Sequence, residues 1–262
     1  VTPPAPGTLR ALIFDVDGTL ADTEEIHRCA FNEAFRQLDL DWNWSKPKYA
    51  HLLRTAGGKE RLAAYIDSLD LPPSGRLALL DRIDAIHQAK TAHYTRMILA
   101  GEVSLRDGVA RLIDDAERCR VRLAIATTTT LANVEALLRT AMGEAALERF
   151  EVIGAAADAA RKKPAPDIYE YVMSRLGVSS RECAAIEDSA NGLRAAKAAG
   201  LFTVVTPSYW TRTEDFSDAD LVLPSLGTID RPLTANAAAL VGGPVLGIRE
   251  INRQLDALRE CG

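Results

Sequence analysis

Asp15 and Asp17 stand two residues apart in Asp15-Val16-Asp17-Gly18-Thr19, directly after the apolar run 9–14. Side chains alternate along a strand, so the two carboxylates project to one side. Gly18-Thr19 then turns the chain away and leaves both acids in the crevice beyond the strand's carboxyl end. Acids that close repel each other and call for a cation, for which an oxygen-bound divalent metal is the natural choice. Three later segments carry related groups. Thr127 begins Thr127-Thr128-Thr129-Thr130 after the apolar run 121–126. A hydroxyl there, with the amides of a helix starting near Leu131, suits a phosphoryl oxygen; a plain N-cap is the structural alternative. Lys162-Lys163-Pro164-Ala165-Pro166-Asp167 offers a fixed cation, Lys162 or Lys163, or else a solvated pair. Ile186-Glu187-Asp188-Ser189 brings two more acids to a strand end. Helix capping by Asp188 or Ser189 accounts for one of them, not both.

Strands have to position these groups. Four β-prone runs, 9–15, 121–127, 183–187 and 202–206, each end in a polar cluster, and 152–154 and 221–223 add two short ones. Helical patterns lie between them, which predicts an α/β fold with a doubly wound, Rossmann-like parallel sheet. The spacing between the first two runs is anomalous. A crossover needs about a dozen residues, yet more than a hundred separate Asp15 from Val121, and the pattern there is helical over 24–38, 59–69 and 76–99. Residues 22–99 therefore read as an inserted all-α cap over a core of 8–21 and 100–228, with 107–120 as the returning helix. Trp42 and Trp44 are expected to pack the cap's small core. Residues 229–262 form an extension, with a terminal helix over 247–258 after Gly242-Gly243-Pro244.

A chain of 262 residues with 47% hydrophobic and 26% charged residues is ordinary for a globular protein. Its net charge of −5 and lack of a basic stripe exclude a nucleic-acid partner. Cys29, Cys119, Cys183 and Cys261 form no paired spacing and read as reduced thiols, with Cys119 and Cys183 in the core. The longest apolar stretch, 237–248, is too short for a bilayer and is broken by glycines and a proline. The expectation is a cytoplasmic monomer with no membrane partner.

Taken in this order, the four segments resemble the four motifs of haloacid dehalogenase superfamily phosphotransferases, and the helical insertion resembles that superfamily's α-helical cap subclass. Asp22-Thr23-Glu24-Glu25-Ile26-His27 and Gly57-Gly58-Lys59-Glu60-Arg61 are similar to its CbbY-type group. Members of that group dephosphorylate xylulose-1,5-bisphosphate, an inhibitor of the carbon-fixing carboxylase of the Calvin cycle. The resemblance implies a Mg²⁺-dependent sugar-phosphate phosphatase. Asp15 is then the nucleophile, Asp17 the general acid and base, Thr127 the holder of a phosphoryl oxygen, and Lys163 the neutralising charge. Mg²⁺ is implied on the Asp15 carboxylate, the Asp17 backbone carbonyl and Asp188, with Glu187 bound directly or through water. Lys163 is preferred to Lys162 because it directly precedes Pro164. Thr128 or Thr129 shares the phosphate contact.

The cap decides whose phosphate is taken. Arg54, Lys59 and Arg61 cluster around Gly57-Gly58, with Lys90 a fourth cation on the long helix. Glycines admit close backbone approach, and such cations grip a second phosphate; a plain loop and a solvated helical turn fit the same spacing. The resemblance favours the gripping role, with Glu24 accepting hydrogen bonds from sugar hydroxyls and His87 on the surface. The small-molecule partner is then a sugar bisphosphate. Two alternatives stay open: a β-phosphoglucomutase-like mutase, whose relatives share a histidine at the position of His27, and a non-catalytic sugar-phosphate sensor.

Overall fold

The structure, a computed structural model, describes residues 9–101 and 103–260, and the side chains of 258–260 are left aside. Cys261 lies outside the described residues. Six strands form one sheet: β1 (Ala11–Phe14), β2 (Arg122–Ala126), β3 (Val152–Gly154), β4 (Cys183–Glu187), β5 (Phe202–Val205) and β6 (Leu221–Val222). Their order is β3-β2-β1-β4-β5-β6 and every pair is parallel. All six expected strands are present, most of them shorter at one or both ends. The order reverses direction at β1, which lies between β2 and β4, and a crevice opens at such a switch point.

The sheet is buried on both faces, as parallel sheets are. Leu12, Phe14, Leu123, Ile125, Ala184 and Ile186 face one layer, and Ala11, Ile13, Ala124, Ala126, Cys183 and Ala185 the other. The first layer holds α6 (Val109–Arg118) and α7 (Leu131–Met142); the second holds α8 (Asp167–Leu176) and α9 (Ala190–Ala198). The gap after β1 is filled by α1 (Glu24–Gln37), α2 (Lys46–Leu52), α3 (Gly58–Asp67), α4 (Pro73–Leu80) and α5 (Ile83–Ala100). They enclose an aromatic core of their own, Phe31, Phe35, Trp44, Tyr49 and Tyr65, and Trp42 packs on it as expected.

Two expectations need correction. The single helix over 76–99 is two helices, because its apolar residues face two ways. Leu77 on α4 is 61% exposed, while Ile86 on α5 is buried in the cap core. The turn between them is pinned by Arg82 Nη2 donating to the Leu38 carbonyl, 2.8 Å. Cys119 is exposed rather than core, because it follows the last turn of α6 and points off that helix's buried stripe of Leu112, Ile113 and Ala116. The C-terminal extension packs on the core. Beyond Leu226, α10 (Ala235–Val241), α11 (Ile248–Glu260) and the segments leading into them sink Leu233, Val241, Leu246, Ile248, Ile251 and Leu255 into the layer that holds α6. Asp115 accepts from the Ile248 amide at 2.8 Å, and Arg111 donates to the Leu246 carbonyl at 2.6 Å. Each of those six side chains contributes roughly 1.5–3 kcal/mol by burial. Deleting them removes as much as a whole domain's stability of about 5–15 kcal/mol. A chain ending at Thr228 is therefore expected to lose its cooperative thermal unfolding transition. A transition near that of the full chain would show the tail to be peripheral.

Candidate active site

Strand register assembles the site. Phe14 pairs with Ile125 of β2 and Ile186 of β4, so the next residues, Asp15, Ala126 and Glu187, stand level across three neighbouring strands. Above them opens a cavity of about 590 Å³ whose floor carries Asp15, Asp17, Thr127, Lys163 and Asp188. Its roof is made by the helices inserted after β1, through Glu24, Gly57, Gly58, Lys59, Arg61 and Lys90. The structure thus brings together, in one space, groups more than 170 residues apart in sequence.

On the floor Lys163 is the hub. Its buried ammonium donates to Asp15 Oδ1 (2.7 Å), Glu187 Oε1 (2.6 Å) and the Ala126 carbonyl (2.9 Å), which uses all three protons. Burial opposes that charge, but Asp15 and Glu187 outweigh it and raise the lysine above its usual range. Lys162 turns instead to the Ala156 carbonyl. Tyr169 on α8 donates to Glu187 Oε1 at 2.5 Å. Asp15, Glu187 and Asp188 each offer an oxygen, all within 4.8 Å of one another. One lysine cannot balance so many acids. Burial first, with Glu187 and Asp17, pushes the Asp15 carboxyl up to about 8 against the pull of Lys163. Burial, Asp15 and Glu187 likewise carry Asp188 well above its ordinary value. This donor set is all oxygen, buried and short of positive charge, so these residues fit a hard divalent cation. Gly18, at φ +82°, closes the site from below: a Cβ there would collide with the Asp188 carboxylate.

Asp17 is held differently. Its Oδ1 accepts from Thr23 Oγ1 (2.5 Å) and from His27 Nε2 (2.8 Å). Burial works against its charge, but His27 and Thr23 prevail and bring it to about 2. His27 stacks on Tyr94, and its Nδ1 lies 2.6 Å from Lys90 Nζ. With Lys90 donating to Nδ1, the remaining ring proton sits on Nε2 and points at Asp17. Lys90, expected among the ligand-gripping cations, lines the cavity and also contacts His27, and burial foremost lowers it to about 8.

Thr127 is buried at the tip of β2, and its Oγ1 accepts from the Thr129 amide at 3.2 Å. Thr128, Thr129 and Thr130 line the cavity beside it, at the start of α7. On the roof, Arg61 Nη1 donates to Tyr49 Oη (3.0 Å), which donates to Glu24 Oε2 (2.8 Å). Lys59 pairs with Asp84 at 2.6 Å. Arg54 is exposed and absent from the wall; its carbonyl accepts from Asn191 Nδ2 at 2.9 Å. His87, expected on the surface, is instead a half-buried part of the wall. Burial, then Lys90 and Lys59, lowers it to about 4. Sequence reasoning passed over Tyr49, Tyr169, Thr23 and Thr211. The spacing of Thr23 and His27, one helical turn apart, is a signal that could have paired those two with Asp17.

A strand-tip carboxylate paired with a buried lysine, beneath an inserted helical roof, defines a class, and comparison with known proteins agrees with it. The sequence model of the haloacid dehalogenase-like hydrolases matches residues 9–200, and the chain belongs to that family. It is an enzyme, a phosphatase of the haloacid dehalogenase type. It is 51% identical over 225 residues to the plasmid-encoded protein CbbY of Cupriavidus necator, covering 86% of this chain and 89% of that one. With protein CbbY of Rhodobacter capsulatus the identity is 52% over 218 residues, covering 83% and 94%. A crystal structure of a CbbY mutant from Rhodobacter sphaeroides, in complex with xylulose-1,5-bisphosphate, superimposes with a TM-score of 0.78 at 47% identity. That alignment covers 85% of this chain and 98% of the other. Among the described residues, no helix is long and apolar enough to cross a membrane.

Proposed function

We propose that this protein hydrolyses the phosphate ester of a sugar bisphosphate, xylulose-1,5-bisphosphate before others, through an aspartyl-phosphate on Asp15. The observation that carries the reading is the shared cavity. The Lys163–Asp15 pair faces, across one space, a roof bearing Arg61 and Glu24, which the buried Tyr49 joins from behind. The likeness to a protein crystallised with that bisphosphate supports the choice of sugar. An Asp15 oxygen attacks phosphorus and the P–O bond to the sugar breaks. Lys163, charged and fixed, offsets the negative charge that gathers there, and Thr127 Oγ1 donates to a phosphoryl oxygen. Asp17 gives a proton to the departing sugar oxygen, then takes one from the water that attacks the aspartyl-phosphate. In the arrangement described Asp17 is ionised, the form needed for the second half; His27, 2.8 Å away, is the proton-bearing group beside it. Asp15, Asp188 and the Asp17 carbonyl, with Glu187 directly or through water, would hold Mg²⁺, which would supply charge stabilisation at the phosphoryl oxygens. The cap, residues 22–99, is the lid that must open for substrate. On the roof, Arg61 grips the second phosphate and Glu24 a sugar hydroxyl; Gly57 and Gly58 let the backbone close in, and Lys59 and Arg54 add charge at the rim.

The test is phosphate release with Mg²⁺ and after EDTA, on xylulose-1,5-bisphosphate, ribulose-1,5-bisphosphate, β-glucose-1-phosphate and phosphoglycolate. Preference for the first, lost with EDTA, is expected; an isomeric sugar phosphate in place of free phosphate would make it a mutase. In the same panel Arg61→Ala should lower kcat/KM for the bisphosphate about tenfold or more, but for a monophosphate only about threefold or less. Comparing two substrates on one variant cancels any loss of folded enzyme. Equal losses on both would remove the second-phosphate role.

A further inference from the structure

The loop after β5, residues 206–214, is tied to the core at three places and touches the cap at a fourth. At its root, Arg106 donates to the carbonyls of Thr206 (2.7 Å) and Pro207 (2.9 Å), and also to that of Gly18 in the turn after Asp17. In its middle, Thr211 Oγ1 accepts from the Ser208 amide at 2.9 Å and donates to Asp188 Oδ2 at 3.2 Å. At its end, Glu214 Oε2 accepts from the amide of Ala190, the first residue of α9, at 2.6 Å. Between the first two ties, directly before Thr211, Trp210 reaches out of the core. Its ring meets Tyr49 of α2 edge to face, centroids 5.7 Å apart and planes at 88°, and packs against the cap's aromatic cluster. Tyr49 is the residue that joins Arg61 to Glu24 on the cavity roof. A second bridge runs parallel to it, from Asn191 on α9 to the Arg54 carbonyl.

We propose that this loop is a latch that couples the position of the cap to the acidic site. Trp210 is a positioning residue. Anchored through Arg106, Thr211 and Glu214, the loop cannot follow a moving cap, so the Trp210–Tyr49 contact forms at one cap position and is lost when the cap swings away. An edge-to-face pair depends on a centroid separation of about 4.5–7 Å, which makes it a short-range catch. Held there, Tyr49 keeps Arg61 and Glu24 over the cavity, while Thr211 keeps Asp188 turned towards Asp15. The inference rests on the reading of 22–99 as a lid and on no particular sugar.

Amide hydrogen exchange of the full chain without substrate tests it first. Trp210→Ala should speed exchange across 46–67, and Trp210→Phe, which keeps an aromatic edge, should restore protection. Unchanged exchange in Trp210→Ala overturns the latch whatever the substrate. In turnover, Trp210→Ala should raise KM for xylulose-1,5-bisphosphate about tenfold while kcat for p-nitrophenyl phosphate, a small ester, stays within about twofold. Equal losses on both esters point to general weakening of the fold and overturn the proposal. Thr211→Val should raise the Mg²⁺ concentration for half-maximal p-nitrophenyl phosphate turnover several-fold; an unaltered Mg²⁺ dependence breaks the link to Asp188. If the wild type fails on the bisphosphate, the substrate reading falls and the exchange result alone decides the latch.

Discussion

Asp15→Asn should abolish turnover, with a loss of about 10⁴-fold or more, equivalent to about 5.4 kcal/mol of barrier, while leaving the protein folded. Asparagine has nearly the shape of aspartate, so the buried tip of β1 keeps its packing against β2 and β4. What it loses is the anionic oxygen that, in the proposed mechanism, attacks phosphorus. The charge change does little harm to the fold. Asp15 is one of three acids whose oxygens lie within 4.8 Å of one another, and burial already pushes it up to about 8. Removing its charge relieves repulsion on Glu187 and Asp188 and weakens the contact with Lys163, whose hydrogen bond the asparagine Oδ1 still accepts, so the thermal midpoint should move by only a few degrees. The pair of measurements is phosphate release and thermal unfolding on the same preparation. A folded variant that keeps substantial phosphatase activity would move the nucleophile elsewhere.

Much of the site was legible because it is built on strand ends. A parallel sheet puts the carboxyl ends of β1, β2 and β4 at one level, so Asp15, Thr127 and Asp188 could be collected from sequence once the strands were found. Lys163 needed more. Adjacent lysines point apart, and the structure separates Lys163, on Asp15, from Lys162, on the Ala156 carbonyl. The cap was legible as an insertion and not as a surface. Nothing local shows that His27, 63 residues earlier, will sit on the Lys90 ammonium. The Tyr49–Arg61–Glu24 chain joins three helices, and Trp210 meets it from a loop that reads only as the exit from a strand. Contacts of that kind depend on how two layers come together, which periodicity does not encode. The same holds for the tail: the sequence pattern of α11 shows an apolar stripe, but not that α6 offers the surface to receive it.

Lys163→Met should cost both activity and stability, and the second loss should depend on pH. The methionine fills the volume of the lysine stem but returns no proton to Asp15, Glu187 or the Ala126 carbonyl. Turnover is expected to fall about 10³-fold or more, the scale on which removing one fixed charge-stabilising donor acts. Breaking a buried ion pair from one side costs about 3–5 kcal/mol, because the partner charge is left uncompensated. That cost falls on carboxylates, which can escape it by taking up protons. With the folded-state value raised above the unfolded one, as for Asp15 at about 8 in the wild type, the native state binds more protons than the unfolded state. Its stability is then greatest below the unfolded value of about 4 and declines as pH rises towards the folded one. Lys163 itself, raised in the wild type, stays charged across that window. In the wild type that decline ends near 8, where Asp15 ionises, whereas without Lys163 the folded-state value lies higher and the decline continues. Urea unfolding of both proteins at pH 5.5 and pH 9 should therefore show a gap that is wide at pH 9 and narrower at pH 5.5. Mg²⁺ should narrow the gap at pH 9, since the variant's acids, short of one more positive charge, bind the cation more tightly and gain more by mass action. A gap that is the same at both pH values would mean that the lysine is packed there for its shape, and that some other group balances the acids.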